Sequence, residues 1–334
     1  MQRVLITGAN GFIGAHVVRA ALKHQLDVRV LVRPNSDRRN LEGLTVQVCE
    51  GDLTDHDSLD RAVMGVDTLV HVGARYDLSR RGRAGIWRAN VEGTRALMQS
   101  ALRHGLERIV HTSSVAAVGP PLDPRQPADE RQWASPEAAP GPYEATKIAS
   151  EQLVHELVAR EGLPAVTTLP TAPIGPLDLK PTPTGRLIAD AARGSMPAYI
   201  RTAGLNIVHV SDVAEGHLLA AAQIEQGRAG ERYLLGHAEG NLTLREIITR
   251  AASAGGVAPP RLALPLPAAY LAAIVDEYLL AVLRRRTPRA TIAGVRLARQ
   301  RQWFNPAKAI RELSLPQTDL EQTFGEAVAW FRRL

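Results

Sequence analysis

The first 24 residues place a glycine-rich loop between a strand pattern and a helix pattern. Residues 4–7 are a short apolar run, and apolar residues recur at helical spacing over 12–24. The loop reads Gly8-Ala9-Asn10-Gly11-Phe12-Ile13-Gly14. In this context Gly8 allows a tight turn, Gly11 lets the backbone approach a pyrophosphate, and Gly14 allows close packing of helix and strand. We predict a dinucleotide site at this helix N-terminus; the alternative is a glycine-rich turn without a ligand.

The alternation of strand and helix patterns continues to residue 170. Apolar strand patterns recur at 28–32, 46–48, 68–72, 109–113 and 165–169, separated by helix patterns that include 56–64, 90–104 and 143–160. Nearly all-apolar strands separated by helices indicate a parallel sheet covered on both faces. Right-handed crossovers then give a doubly wound Rossmann sheet, so the predicted fold class is α/β.

The composition changes after Pro170. Residues 171–206 are rich in Pro, Gly and Thr, with one helix near 184–193, and residues 206–210 again resemble a strand. Ser211-Asp212 can cap a helix over 213–223, and an amphipathic helix is predicted at 320–333. We predict a Rossmann domain formed by residues 1–170 and 206–226. A smaller, mainly helical substrate domain is predicted from 171–205 and 227–334.

Composition excludes several classes of protein. The chain has 334 residues, 45% hydrophobic and 22% charged, which excludes a disordered chain. Its net charge of +6 comes mainly from scattered arginines without interleaved aromatic residues, so we interpret them as solvated surface and predict no nucleic-acid partner. A single cysteine, Cys49, excludes an intramolecular disulfide, and no spacing suggests a metal site. The first residues do not resemble a signal peptide, and we expect a cytoplasmic protein.

Residues 262–283 resemble a membrane segment in their apolar content. They contain Pro265, Pro267 and the pair Asp276-Glu277, and a charge at the middle of a bilayer costs about 2.5–3.5 kcal/mol. We therefore predict no transmembrane segment here, but a core helix or a lid over an apolar substrate. Peripheral contact with a membrane is the alternative.

The end of the second strand bears on the choice of dinucleotide. An acidic residue there usually holds the ribose hydroxyls of NAD, whereas this chain has Arg33, with Arg38 close behind. An arginine can pair with a 2′-phosphate, so NADP(H) is favoured and NAD(H) is the alternative. The structural alternative is that both arginines are ordinary surface residues.

Two further strand ends supply candidate cofactor contacts. After the third strand, Asp52 can accept a hydrogen bond from the adenine amino group, with Leu53 against the ring; alternatively Asp52 helps to initiate the next helix. Gly73 and Ala74 follow the fourth strand, where small residues let the ribose and phosphates pass.

Candidate catalytic residues lie on the helix at 143–160 and on the strand before it. Tyr143 and Lys147 are four residues apart and share a helix face, so the ammonium can favour the phenolate and make Tyr143 a general acid/base. Thr112-Ser113-Ser114 ends the fifth strand, where a serine hydroxyl can hydrogen-bond a substrate oxygen.

Together these residues resemble the extended short-chain dehydrogenase/reductases. The motifs are T-G-A-N-G-F-I-G at 7–14, G-D-L-T-D at 51–55, N-V-E-G-T at 90–94, S-S-V at 113–115 and Y-E-A-T-K at 143–147. Within that family the chain is most similar to hopanoid-associated sugar epimerases, near the dihydroflavonol-reductase-like branch. The runs that carry this likeness are residues 31–44, 181–199 and 205–214.

The resemblance implies roles for individual residues. Tyr143 would be the acid/base, Lys147 would hold the nicotinamide ribose, and Ser114 would bind the substrate oxygen, with Ser113 as its rival. Asn90 would order its helix near the cofactor. The residues implied at the nicotinamide end are Thr112, Pro170 and Ile174. The family usually forms homodimers through the helices at 90–104 and 143–160. Gly73, where alanine is more usual, and the Pro-rich residues 120–142 depart from the family pattern.

Two reactions follow from the resemblance. One is epimerisation of a sugar on a retained NAD, which the likeness to sugar epimerases favours; the other is reduction of a ketone or aldehyde by exchangeable NADPH, which Arg33 favours. Dehydratases of the family carry Thr-Asp-Glu where this chain has Ser114, Val115 and Ala116, so dehydration is disfavoured. The expected substrate is a sugar or carbonyl compound, including lipid-linked compounds. A dinucleotide sensor without catalysis is the non-enzyme alternative, and His71, His111 and His209 are interpreted as satisfied core residues.

Overall fold

The computed structural model describes residues 1–75, 83–123, 125–280, 292–299 and 301–334. Its centre is a parallel sheet in the order β3-β2-β1-β4-β5-β6-β10. The strands are β1 (Arg3–Thr7), β2 (Asp27–Val32), β3 (Gln47–Glu50), β4 (Thr68–His71), β5 (Arg108–Thr112), β6 (Ala165–Pro170) and β10 (Arg232–Leu235). The chain leaves β1 towards β2 and β3, then crosses back to β4. This reversal of direction between β1 and β4 creates the crevice at which doubly wound sheets bind ligands.

Helices cover both faces of the sheet, as the apolar strands predict. One core contains alternate strand residues such as Val4 and Val30 under α1 (Phe12–Lys23) and α7 (Val210–Gln223). The other contains Leu5 and Leu69 under the remaining helices of the sheet. Those helices are α2 (His56–Val63), α4 (Gly93–Arg103) and α5 (Pro142–Glu161), with the short α3 (Arg83–Trp87) before a π-helical turn at Arg88–Glu92. The α/β Rossmann fold is thereby confirmed.

A second region contains its own small sheets and core. Strand β9 (Gly204–His209) pairs with β7 (Ala172–Ile174), β11 (Asn241–Thr243) and β13 (Arg301–Gln302), while β8 (Ala198–Ile200) pairs with β12 (Leu262–Leu264). Its principal helices are α6 (Pro183–Ala192), α8 (Leu244–Ala254) and α12 (Leu320–Phe331), which share one apolar core. The other helices are α9 (Leu266–Val275), α10 (Ile292–Leu297) and α11 (Ala307–Leu313).

The sheet topology differs from the predicted domain boundaries in two strands. β10 forms an edge of the central sheet beside β6, whereas the sequence predicts residues 227–334 in the substrate domain. β9 joins the second region, whereas the sequence predicts residues 206–226 in the Rossmann domain. Both segments have the short apolar pattern of a strand, and only pairing with distant residues decides which sheet each one enters. The division into two domains otherwise stays a prediction.

Two smaller expectations also change. Helix α7 is capped by His209, whose Nδ1 accepts a hydrogen bond from the Ser211 backbone at 3.1 Å, and Ser211 and Asp212 lie inside the helix. The predicted apolar stretch at 262–283 is divided into β12, α9 and a π-helical turn at Asp276–Leu280, and residues 281–283 lie outside the described part. No helix among the described residues is long and apolar enough to cross a bilayer.

Candidate active site

The glycine loop between β1 and α1 has the geometry that its sequence predicts. Gly8 has φ +67°, in the left-handed region, and a methyl group added to it would lie 2.7 Å from the Gly73 backbone. A methyl group added to Gly14 would lie 2.1 Å from the Gly8 carbonyl oxygen. Gly11 precedes the first residue of α1, so the amides of this helix N-terminus are presented beside the loop. Only glycines allow so close an approach of loop, helix and strand β4.

A cavity of about 790 Å³ lies against this loop at the carboxyl edge of the sheet. Its walls come from the loops that follow β1, β2, β3 and β4, which meet at the reversal point described above. Sequence-predicted residues that line it are Gly8, Asn10, Gly11, Phe12, Ile13, Gly14, Arg33, Asp52, Leu53, Gly73, Ala74 and Tyr143. The close-packed glycines and the exposed helix N-terminus fit a dinucleotide here.

The loop after β2 is tied to the glycine loop by amide side chains. Asn10 donates a hydrogen bond to the Asp37 carbonyl at 2.9 Å, and Asn40 donates to the Asn10 carbonyl at 3.2 Å. Arg33 is exposed on the cavity wall, and among the described residues no side-chain hydrogen bond or ion pair holds its guanidinium. Arg38 instead forms an ion pair with Glu50. The two arginines are therefore differently placed, and Arg33 is the one that faces the cavity.

The loop after β3 is organised by two aspartates. Asp52 accepts hydrogen bonds from the Thr54 backbone at 2.9 Å and from the Thr54 hydroxyl at 2.7 Å. Burial raises the pKa of Asp52, but these hydrogen bonds and the field of Arg33 outweigh it and lower the pKa overall. Asp55, not Asp52, caps α2 through the Ser58 backbone. Asp52 is therefore an ionised carboxylate on the cavity wall rather than a helix cap.

Asn90 joins the loop after β4 to helix α5. Its side chain accepts a hydrogen bond from the Arg75 backbone at 2.7 Å, and it donates to the Arg75 carbonyl and to the Thr146 hydroxyl, each at 3.0 Å. Thr146 in turn donates to the Tyr143 carbonyl at 2.7 Å. Asn90 is buried and lies in the π-helical turn, an irregularity frequent at functional sites. It fixes two cavity walls relative to each other.

Tyr143 and Lys147 occupy consecutive turns at the start of α5. Tyr143 is half-buried on the cavity wall, whereas Lys147 is buried behind it and donates a hydrogen bond to the Thr112 carbonyl. Burial lowers the pKa of Lys147 to about 8, and the Glu151 carboxylate partly opposes this shift. The ammonium form still predominates at neutral pH, which keeps a positive charge close to the tyrosine.

The two candidate serines differ in their surroundings. Ser113 is buried and donates a hydrogen bond to Glu151, which forms an ion pair with Arg232 at 2.6 Å. Ser114 is half-buried, and its oxygen accepts a hydrogen bond from the Ala116 backbone at 3.2 Å. A hydroxyl that accepts there keeps its own proton for another acceptor. Ser114 is thus the serine with hydrogen-bonding capacity to spare.

Several predicted site residues do not line the cavity. Lys147 and Asn90 are buried, and they affect the residues of the cavity wall without lining the cavity themselves. The Thr112 hydroxyl is hydrogen-bonded to His217 at 2.9 Å, and Ile174 belongs to the apolar core of the second region. The predicted residues outside the cavity wall are Asn90, Thr112, Ser114, Lys147, Pro170 and Ile174.

The sequence motifs predict no individual residue of one cavity wall. This wall is formed by Pro173 and by residues 177–184 that precede and begin α6. Leu177 has φ 70°, a strained value for a bulky residue, and such strain is found at ligand sites. Asp178 is buried and accepts hydrogen bonds from the Thr182 backbone and hydroxyl at 2.9 Å each. The spacing of Asp178 and Thr182, four residues apart, is the sequence feature from which a local turn at this wall could have been predicted.

The histidines divide into two groups. His71 is satisfied by Thr7 at 2.7 Å and Thr94 at 2.9 Å, and His209 contacts Glu326 at 3.2 Å. The expectation for His111 is wrong, because it is fully buried on β5 and neither ring nitrogen has a hydrogen-bond partner among the described residues. Burial holds its pKa well below the usual range. Among the described residues no group of three or more His, Cys, Asp or Glu side chains could hold a metal ion.

Comparisons with known proteins identify the class. A model of the NAD dependent epimerase/dehydratase family matches residues 4–236. The chain is 40% identical to a putative dihydroflavonol 4-reductase of Synechocystis sp., over 98% of this chain and 94% of the relative. It is 37% identical to sterol demethylase protein B of Methylococcus capsulatus, over 98% of both chains. The crystal structure of gox2253 covers 100% of this chain and 98% of its own, at 41% identity and a TM-score of 0.86.

The fold, the glycine cradle and these matches define an extended short-chain dehydrogenase/reductase. The chain belongs to the NAD-dependent epimerase/dehydratase family, and its resemblance to that family is confirmed. Members of this family are enzymes that bind NAD or NADP and act on small molecules.

Proposed function

We propose that this chain is an NAD(P)-dependent oxidoreductase that interconverts a secondary alcohol and a ketone, with NADP(H) preferred. The observation that carries the proposal is Tyr143, which stands on the wall of the glycine-loop cavity with the buried Lys147 one turn behind it. A nicotinamide cofactor, when bound, supplies or accepts the hydride. The residues that would hold it are those of the glycine loop with Arg33 and Asp52.

The side chains of the site have separate roles in this proposal. Tyr143 moves the proton to or from the substrate oxygen, because the nearby ammonium of Lys147 stabilises its phenolate. Lys147 is held in place by the Thr112 carbonyl and is shielded from water. Ser114 is outside the set of residues that line the cavity, but its hydroxyl, whose oxygen accepts from the Ala116 backbone, would donate a hydrogen bond to a substrate oxygen that reaches it. Asn90 positions Tyr143 through Thr146 rather than touching the reactants.

Two observations support reduction of a carbonyl compound with apolar character. Arg33 faces the cavity, and in the described part of the chain no carboxylate is in hydrogen-bond contact with it, which suits a 2′-phosphate. The cavity wall also contains Phe12, Pro173, Leu177 and Leu179, and the similar proteins named above include a reductase and a sterol-modifying protein.

A second candidate is a sugar epimerase that oxidises and re-reduces its substrate on retained NAD. The segment 181–199 carries the likeness to hopanoid-associated sugar epimerases, and its Thr182 and Thr184 line the cavity. Dehydration is disfavoured, because Val115 and Ala116 offer no acid and base for elimination of water.

We also propose a homodimer through α4 and α5, which light scattering of the purified protein would test.

Release and identification of the nucleotide distinguish the candidates. The purified protein is denatured, any released nucleotide is identified by mass spectrometry, and the nucleotide-free protein is titrated with NADPH and NADH. An empty site that prefers NADPH supports the reductase, whereas near-stoichiometric retained NAD supports the epimerase. Tyr143→Phe should bind nucleotide normally but lose turnover. A Tyr143→Phe variant with full biological function would instead indicate a sensor.

Matched arginine variants test the NADP(H) preference. Arg33→Ala should weaken NADPH binding roughly 10- to 100-fold with little effect on NADH, because hydrogen bonds to charged groups contribute about 1.5–3 kcal/mol. Arg38→Ala is the control, since Arg38 is already paired with Glu50. Equal losses for the two nucleotides would contradict the preference.

A further inference from the structure

Helix α9 is apolar on every side, yet half of it faces outward. Its sequence, Leu266–Val275, contains no charged residue. Ala269 and Ala273 are buried against Val295 of α10 and form a small core with it. Leu271 is 65% exposed and Ile274 46% exposed on the other face. An all-apolar helix is normally buried in a core or in a lipid layer, so the exposed half lacks its expected environment.

The exposed side chains form one continuous stripe. Leu271, Ile274, Val275 and Tyr278 follow the spacing of a single helix face, and all four are exposed. Leu262, 58% exposed at the start of β12, is a fifth apolar side chain in this segment. We call Leu271, Ile274, Val275 and Tyr278 the apolar stripe. A tyrosine among aliphatic residues is typical of the boundary between lipid tails and headgroups.

The acidic pair beside the stripe does not oppose insertion into a headgroup layer. Asp276 is buried and has its own interaction within the protein. The Glu277 carboxylate accepts a hydrogen bond from the Ile292 backbone at 2.9 Å. Both carboxylates are thus engaged with the protein, although by sequence alone they argue against membrane contact.

The sequence segment that contains this stripe has a surplus of positive charge. Residues 261–301 contain eight arginines and two acidic residues, a surplus of six positive charges that equals the net charge of the whole chain. Among the described residues of this segment, Arg261, Arg296, Arg299 and Arg301 are all exposed. An apolar stripe on a helix within a basic segment is the pattern of helices that lie in the plane of an anionic membrane surface.

We propose that the apolar stripe docks this protein on an anionic lipid bilayer, with α9 lying in the interface. The occupant is the bilayer surface itself, because the stripe contains only apolar side chains and Tyr278, while arginine surrounds it in sequence. This docking does not depend on the reaction proposed above. A variant that loses membrane binding but still binds nucleotide would therefore separate failure of the docking proposal from failure of the proposed function. The proposed docking extends the alternative of peripheral contact to a defined set of residues.

Vesicle sedimentation of the full-length protein tests the proposal. Vesicles of phosphatidylcholine alone are compared with vesicles that also contain about 30% phosphatidylglycerol, whose headgroups make the surface strongly anionic. The unaltered protein should sediment with the anionic vesicles and be released by high salt. Leu271→Glu with Ile274→Glu should reduce the bound fraction at least about tenfold. The control is Val48→Glu with Met64→Glu, which alters two exposed apolar residues elsewhere and should bind like the unaltered protein.

Folding and self-association are monitored in the same variants. Thermal unfolding and NADPH binding should be unchanged in both double variants. Failure of the unaltered protein to bind anionic vesicles would overturn the proposal, as would equal binding by the Leu271/Ile274 variant. A lower molecular mass of that variant by light scattering, without any vesicle binding, would show that a second copy of the chain covers the stripe instead.

Discussion

The Asn90 hydrogen bonds connect two walls of the cavity, and their removal should be measurable in both stability and nucleotide binding. Asn90→Ala removes the hydrogen bonds that Asn90 makes with the Arg75 amide and with the Arg75 carbonyl. A polar group that loses its hydrogen bond where water cannot replace it costs about 1–3 kcal/mol, so the loss of the two bonds is expected to lower the unfolding free energy by about 2–5 kcal/mol. Water that reaches the exposed Arg75 gives the lower end of this range. For a protein of 334 residues, whose unfolding entropy at Tm is about 0.7 kcal/mol/K, that lowers Tm by roughly 3–7 °C.

The same variant should weaken nucleotide binding, because Arg75 and Tyr143 both line the cavity. Asn90→Asp provides a sharper comparison. It keeps the size and the acceptor for the Arg75 amide, but its carboxylate cannot donate to the Arg75 carbonyl and would be charged and buried. Asn90→Asp should therefore be at least as destabilised as Asn90→Ala. Arg95→Ala, on the exposed side of α4, is the control.

Thermal unfolding followed by circular dichroism, together with NADPH titration, provides the assay. Both Asn90 variants should lose stability and NADPH affinity, while Arg95→Ala loses neither. A loss of less than about 1 kcal/mol in Asn90→Ala, with unaltered NADPH affinity, would refute the view that Asn90 holds the two walls together.

Three further predictions concern the loop, the lysine and pH. Gly14→Ala should abolish nucleotide binding, because its methyl would lie 2.1 Å from a carbonyl oxygen of the loop, whereas Gly325→Ala, with open space around it, should not; normal NADPH titration of Gly14→Ala would contradict this. Glu151→Gln should lower the pKa of Lys147 further below about 8, since that carboxylate raises it; ¹⁵N-lysine NMR is the measurement, and an unchanged titration would refute it. Burial lowers the pKa of His71 from 6.5 to about 3, so the unfolded state binds the extra proton. The free energy of unfolding should therefore be unaffected by His71 above pH 6.5 and should fall by about 1.4 kcal/mol per pH unit below it. Urea unfolding should give a lower free energy of unfolding at pH 5 than at pH 7.5, and equal values would exclude this linkage.

The parts of the fold that the sequence predicts are those set by neighbouring residues. The glycine loop could be read because a strand, three glycines and a helix follow one another within a few turns, and the left-handed φ of Gly8 is a local requirement. Tyr143 and Lys147 could be paired for the same reason, since four residues make one helical turn. Helix α2 begins where Asp55 can cap it. In each case the signal and its structural effect lie within about ten residues.

The position of the cavity wall at residues 177–184 could not be predicted from neighbouring residues in this way. Its Pro and Thr residues form no apolar helix or strand pattern, and its position depends on distant partners. The Pro176 carbonyl contacts His16 at 2.9 Å, and Asn40 donates to the Leu177 carbonyl at 3.1 Å. Both partners lie more than 130 residues earlier in the chain. A pattern of residues within the loop contains no information on such partners.

The choice between Ser113 and Ser114 shows how far the electrostatics of the site depend on distant strands. Ser113 donates to Glu151, which is held by Arg232 of β10, the strand that sequence patterns assigned to the other domain. Arg232 lowers the pKa of the Glu151 carboxyl, which burial raises, and so favours the ionised carboxylate that raises the pKa of Lys147. The pKa of the lysine behind Tyr143 is therefore adjusted by an arginine 85 residues further along the chain. The edge strand β10 therefore contributes to the electrostatics of the site, because its Arg232 influences how much negative charge Glu151 presents to Lys147.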